Sequence, residues 1–157
     1  MRGDCPGYQS KEYMGDRANI VMNQNSNAAD KAGVKPQRVF FYTHWSGSEL
    51  PLLLQQALSK RKRWDDESYL GRIIFQTLIG NDPGETGYGI SAYQTDGGYH
   101  LLVVDSDKQT VHLERDRSDD RVVTHGPWTF EQYVALPLDN DEHGPWGVLR
   151  GEVNEEA

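Results

Sequence analysis

The sequence predicts an α+β fold: one two-layer domain with a mostly antiparallel sheet and helices packed on one face. Three observations lead there. Short apolar runs of strand length fall into two blocks, Ile20–Met22 with Val39–Tyr42, and a later group between residues 88 and 114. Two amphipathic helical stretches separate the blocks, and a third follows them. The order is therefore β-β-α-α-β-β-β-α, with strands grouped rather than alternating with helices as a parallel sheet requires. A chain of 157 residues suits one such domain. We expect it to cover residues 14–138, with 1–13 an extension and 139–157 an acidic, loosely ordered tail.

Each element has a local cause. The polar stretch 23–37 reads as a long, mobile connection between two antiparallel strands. Ser48 is a suitable N-cap, Glu49 suits the first turn, and Pro51 falls where a missing N–H costs nothing. Leu50, Leu53, Leu54, Ala57 and Leu58 then recur at helical spacing. Asp65 is expected to cap the next helix, with Leu70, Ile73, Ile74, Thr77 and Leu78 on its apolar side and Gly80-Asn81 as its stop. Strands follow at Tyr88–Tyr93 and Leu101–Val104, and Asp96-Gly97 reads as a hairpin turn joining them. In a third strand, Val111 and Leu113 alternate with His112 and Glu114. The stretch 115–121 is a charged loop. Thr129 and Gln132 form a capping box for a last short helix. The tetrapeptide His-Gly-Pro-Trp occurs at 125–128 and at 143–146, read as chance or as two similar turns.

Composition excludes several functions. Cys5 is the one cysteine, so neither an internal disulfide nor a cysteine-based zinc site is available. No apolar run approaches the 18 or so residues of a membrane span, and 1–13 holds no apolar signal core, so a cytoplasmic protein is the default. Net charge is −8. Residues 139–157 hold six carboxylates against Arg150, which argues against binding duplex nucleic acid.

The candidate chemistry centres on Thr43-His44-Trp45, where a strand gives way to a helix start. Tryptophan supplies a stacking surface and histidine can bind an anion or move a proton. The N–H groups of Gly47, Ser48 and Glu49 would point outward there, as at phosphate sites. The competing reading is that His44 is a hydrogen-bonded core histidine and Trp45 packs on the helices. His44-Trp45-Ser46 also fits half of a two-histidine phosphoesterase motif, but His112, His125 and His143 supply no second half. Asp16-Arg17-Ala18-Asn19 beside the first strand could hold a phosphate and a base, or Asp16 and Arg17 could form a surface pair. A metal site would need Asp16, His44 and Asp105 to converge; no metal and no cofactor is expected. Lys60–Arg63 suits a helix C-terminus, with Trp64 and Tyr69 placed for cation–π contacts.

Met14–Val21, Phe41–Trp45, Ser48–Pro51, Arg63–Asp65, Arg72–Phe75, Glu85–Ser91 and Leu102–Asp105 resemble motifs of a family of small uncharacterised proteins of actinobacteria, other bacteria and their phages. The likeness spans about residues 14–115. It implies a phage or mobile-element setting and no established reaction.

The polar residues of these motifs, Arg17, Asn19, Thr43, His44, Trp45, Glu85, Thr86, Tyr88 and Ser91, fall on strand ends and could line one pocket. Without a nucleophile or a metal triad, such a pocket suits binding better than catalysis. The expectation is a binder of a small nucleotide-like anion, of the kind a phage could use as a sponge for a nucleotide immune signal. Two alternatives stay open. One is a hydrolase or lyase on such a nucleotide with His44 as general acid or base. The other is a protein-interaction module that contacts a host protein. A homo-oligomer fits any of the three.

Overall fold

Along Ala18–Asn23 (β1), side chains alternate between the two sides of the sheet. Ala18, Ile20 and Met22 join the main core, and Val21 joins a small cluster on the opposite face. The computed structural model describes residues 15–24, 26–94, 97–115, 121–139 and 142–152. Its other strands are Arg38–Thr43 (β2), Tyr88–Ser91 (β3), Leu101–Asp105 (β4), Thr110–Glu114 (β5) and Val123–Thr129 (β6). They form one six-stranded sheet in the order β3-β2-β1-β4-β5-β6. The central pair β1–β4 is parallel and the other four pairs are antiparallel.

The helices are Ser26–Ala32 (α1), Leu50–Ser59 (α2), Glu67–Ile79 (α3), Phe130–Val134 (α4) and Gly144–Leu149 (α5), with a 3-10 turn at Gly47–Glu49. Leu50, Leu54 and Leu58 of α2, Leu70, Ile74 and Leu78 of α3, Phe130 and Tyr133 of α4, and Trp146 and Leu149 of α5 pack in one core with the front of the sheet. Each fully buried side chain of this size contributes about 1.5–3 kcal/mol. That one-sided packing makes the α+β two-layer domain. Among the described residues, no helix is long and apolar enough to cross a membrane.

The back face mixes apolar and charged groups. Val21, Phe40, Leu101 and Val103 form its apolar patch. Arg38 reaches across from β2 to clasp Glu114 of β5, with Nη1–Oε1 at 2.9 Å and Nη2–Oε2 at 2.7 Å. His112 Nε2 lies 2.8 Å from the same carboxylate. Burial pushes the Glu114 carboxyl up, but the His112 and Arg38 hydrogen bonds and the Arg38 charge outweigh it and hold the group at about 2.

Several expectations are corrected. The stretch 23–37 is not a bare loop: it contains α1, whose first N–H, on Ser26, donates to Asp107 Oδ2 at 3.0 Å. The strands expected to meet at Asp96-Gly97 are not neighbours. β3 pairs with β2 at the edge, while β4 pairs with β1 and β5. Asp96 itself lies outside the described residues, as do 1–13, Met14 and 116–120 of the charged loop. The first strand of that group also ends at Ser91, not Tyr93. Asp66, not Asp65, caps α3, accepting from the Ser68 and Tyr69 N–H groups. Ser48 lies inside the 3-10 turn, and α2 starts at Leu50 with Glu49 before it.

The capping box of Thr129 and Gln132 is present. Residues 144–149 of the expected loose tail form α5, because Trp146 and Leu149 have a place in the core. The two His-Gly-Pro-Trp copies differ in conformation: one lies in β6 and the other opens α5. β6 was not among the expected strands, and Pro127 disfavours a strand inside a sheet. At a sheet edge its missing N–H is tolerated.

Candidate functional site

One end of the sheet gathers the residues just before β1 and β4, those just after β2 and β5, and those just before β3. His44, Trp45, Arg17, Tyr99, His100 and Arg115 therefore all lie at this end. It divides into a closed corner and an open cavity.

The closed corner is Arg17, Tyr42, His44 and Trp45. Arg17 Nε donates to His44 Nδ1 at 3.2 Å, and the Tyr42 hydroxyl lies 2.9 Å from the same nitrogen. An arginine Nε only donates, so Nδ1 is the acceptor and the ring proton sits on Nε2. Gly15 packs against that side of the ring: a Cβ added at Gly15 would lie 2.7 Å from Nε2 and would also clash with the His44 carbonyl oxygen. Its φ of +77° also favours glycine. Trp45 meets the His44 ring edge-on with centroids 4.3 Å apart, and remains 52% exposed. Thr43 is buried, and its hydroxyl accepts from the Trp45 and Ser46 N–H groups at 3.3 and 3.0 Å.

The amides expected to hold an anion are already bonded. Gly47 N–H donates to the Asp16 carbonyl at 2.7 Å, Ser48 N–H to Asp16 Oδ2 at 2.9 Å, and Glu49 N–H to the Ser46 carbonyl at 3.1 Å. The Asp16 carboxylate thus takes the place of the anion at the Ser48 amide. Its Oδ1 accepts from the Tyr99 hydroxyl at 2.6 Å. Burial and that hydrogen bond push the Tyr99 hydroxyl well above its ordinary range, so it stays a donor.

The remaining expected residues do not converge on this corner. Asn19 is buried on the back face opposite Tyr42. Glu85 and Thr86 are exposed in the loop before β3. Tyr88 pairs with Thr43 and packs on the core. Ser91 lies at the far end of β3, where its hydroxyl accepts from the Tyr93 N–H at 3.2 Å. Asp105 is paired with Asn23 at the opposite end of the sheet, so Asp16, His44 and Asp105 do not meet. Among the described residues, no group of three or more His, Cys, Asp or Glu could hold a metal ion. The cation–π contacts are present: Arg61 lies 5.3 Å from the Trp64 centroid and Arg63 4.6 Å from that of Tyr69.

The open part is a cavity of about 430 Å³ lined by Gly98, Tyr99, His100, Arg115 and Arg150. Tyr99 stacks on Trp146, centroids 5.0 Å apart and 12° from parallel. The Trp146 indole N–H donates to the Gly47 carbonyl at 2.7 Å, which ties α5 and the aromatic stack to the 3-10 turn. Gly98 N–H donates to the Arg17 carbonyl at 3.1 Å, so cavity and corner share a wall. His100 meets His125 edge-on at 5.5 Å. Arg150 Nε donates to Glu152 Oε2 at 3.0 Å. Two guanidiniums, an imidazole and a phenol thus line one cavity of a chain whose net charge is −8. None of these residues stood out in the sequence. Arg115 sits in a charged loop and Arg150 in an acidic tail, and only the sheet order and α5 bring them together.

No protein-family model, curated protein or solved structure matches the chain. The family resemblance therefore rests on its motifs alone.

Proposed function

We propose that the protein binds a small nucleotide-like anion in the cavity lined by Tyr99, His100, Arg115 and Arg150, without turning it over. One observation carries this reading: Arg115 and Arg150 line the same cavity in an otherwise acidic molecule. Guanidiniums match phosphate and carboxylate oxygens in geometry as well as charge. Tyr99, rigidly stacked on Trp146, supplies a flat wall for a base or ring. The volume lies within the few-hundred-Å³ range of ligand pockets. Catalysis has less support. Both His44 nitrogens face protein groups, and among the described residues no activated nucleophile accompanies the arginines. In the phage setting that the resemblance implies, such a binder would act as a sponge for a nucleotide immune signal.

The test is native mass spectrometry of protein purified from cells, followed by heat release of any small molecule. An intact nucleotide-like anion supports the proposal. A cleaved product favours the hydrolase. A bare protein, still bare after incubation with a panel of nucleotides, overturns ligand binding.

A further inference from the structure

The two edges of the sheet are built differently. Edge strands expose unpaired N–H and C=O groups, and proteins usually blunt them with proline, charge or a bulge. β6 has such devices: Pro127 and two shifts of register against β5. β3 has none. Its sequence is Tyr-Gly-Ile-Ser, and among the described residues it pairs with β2 alone. Ile90 is 61% exposed, and a Cβ added at Gly89 would meet nothing within 4 Å.

An apolar groove of about 510 Å³ opens beside this edge, between α3 and the front of the sheet. Met22, Phe41 and Phe75 line it, with Ile90 and Val39 on the strands. Gly71 of α3 leaves it open. A Cβ there would sit 3.4 Å from Met22 Sδ and 3.6 Å from Phe41 Cζ, an ordinary contact, so a methyl would fit without strain.

We propose that β3 and this groove take up an extended, uncharged apolar segment of a partner protein as a seventh strand. The main chain of the segment would bond the edge of β3 that faces away from β2, and alternate side chains would pass over Ile90 into the groove. Size and charge choose this occupant over a second copy of the chain. Eleven residues line the groove, about half of the 20–30 a side in a stable dimer. The rim carries one carboxylate, Glu67, and one guanidinium, Arg72, so it favours neither sign. A second copy would bring a charge of −8 against −8.

The test pans the full chain against a library of ten-residue peptides, with Val, Ile, Leu or Phe at alternate positions and Thr, Ser or Asn between them. Affinities follow from fluorescence anisotropy, and amide shifts locate the contact. We expect enriched peptides to shift Gly89, Ile90 and Phe75. Ile90→Lys should weaken them at least tenfold with an unchanged melting temperature. Gly71→Ala, which keeps the fold, should weaken them several-fold. Three results would overturn the proposal: no enrichment on wild type over Ile90→Lys, shifts confined to residues away from β3, or sedimentation showing a dimer that Ile90→Lys dissociates.

Discussion

The closed corner around His44 and the cavity beside Tyr99 lie at the same end of the sheet and hold similar residue types. They differ in what bonding capacity is left over. In the corner, Arg17 and Tyr42 take His44 Nδ1, and Asp16 takes the Gly47 and Ser48 amides. In the cavity, cations of two distant segments line open space. A histidine, a tryptophan and a helix start do not make a site once the chain supplies its own anion. Arginines facing solvent across a cavity still have hydrogen bonds to give.

The back face carries the same principle at the largest expected cost. Arg38→Ala leaves Glu114 buried without its bidentate partner and should destabilise by about 3–5 kcal/mol in urea unfolding. Ligand affinity should hold as long as the protein is folded. Acid acts on the same group. The Glu114 carboxyl is depressed from 4.5 to about 2, so it stabilises above the unfolded value and loses that contribution as pH falls from about 4.5 to 2. The loss is on the order of 3 kcal/mol, and Glu114→Gln should flatten that limb of the pH–stability curve.

Gly15→Ala comes next. It drives a methyl into the His44 carbonyl and ring at a positive φ, and should cost about 3 kcal/mol from overpacking and backbone strain. Asp16→Ala strands the Ser48 amide and the Tyr99 hydroxyl, for about 2 kcal/mol. It should also loosen the cavity wall and weaken the ligand, whereas His44→Ala should cost only about 1 kcal/mol and leave affinity intact. Smallest in stability is Arg115→Gln, an exposed change expected within about 0.5 kcal/mol of wild type. Its effect should appear in ligand titration instead. Equal losses of affinity for His44→Ala and Arg115→Gln would erase the distinction between corner and cavity.

The sheet and its main helices were legible because their signals are local. Leu50, Leu54 and Leu58 recur at helical spacing, and Val111 and Leu113 alternate. The capping box of Thr129 and Gln132 marks the start of α4. What stayed hidden depended on distance. Nothing near Tyr88–Ser91 says that it pairs with β2 while β4 crosses to β1. Pro127 disfavours a strand by local rules, and only its place at the edge makes that proline harmless. The acidic sequence around Trp146 masked a helix that two buried side chains hold in place. The candidate site suffered most. Thr43-His44-Trp45 stood out by residue type, but whether the nearby amides are spent depends on Asp16, 32 positions from Ser48. Nothing local marks Arg115 and Arg150 as site residues, because their meeting depends on sheet order and on α5.

The most direct measurement is calorimetric titration of ADP into wild-type protein and an Arg115→Gln/Arg150→Gln variant, at two salt concentrations. The account predicts binding to wild type that weakens with salt. It predicts at least a tenfold loss in the variant, with an unchanged melting temperature. Identical affinity in the two proteins, or no binding to either by ADP and by the other nucleotides of the panel, would contradict it.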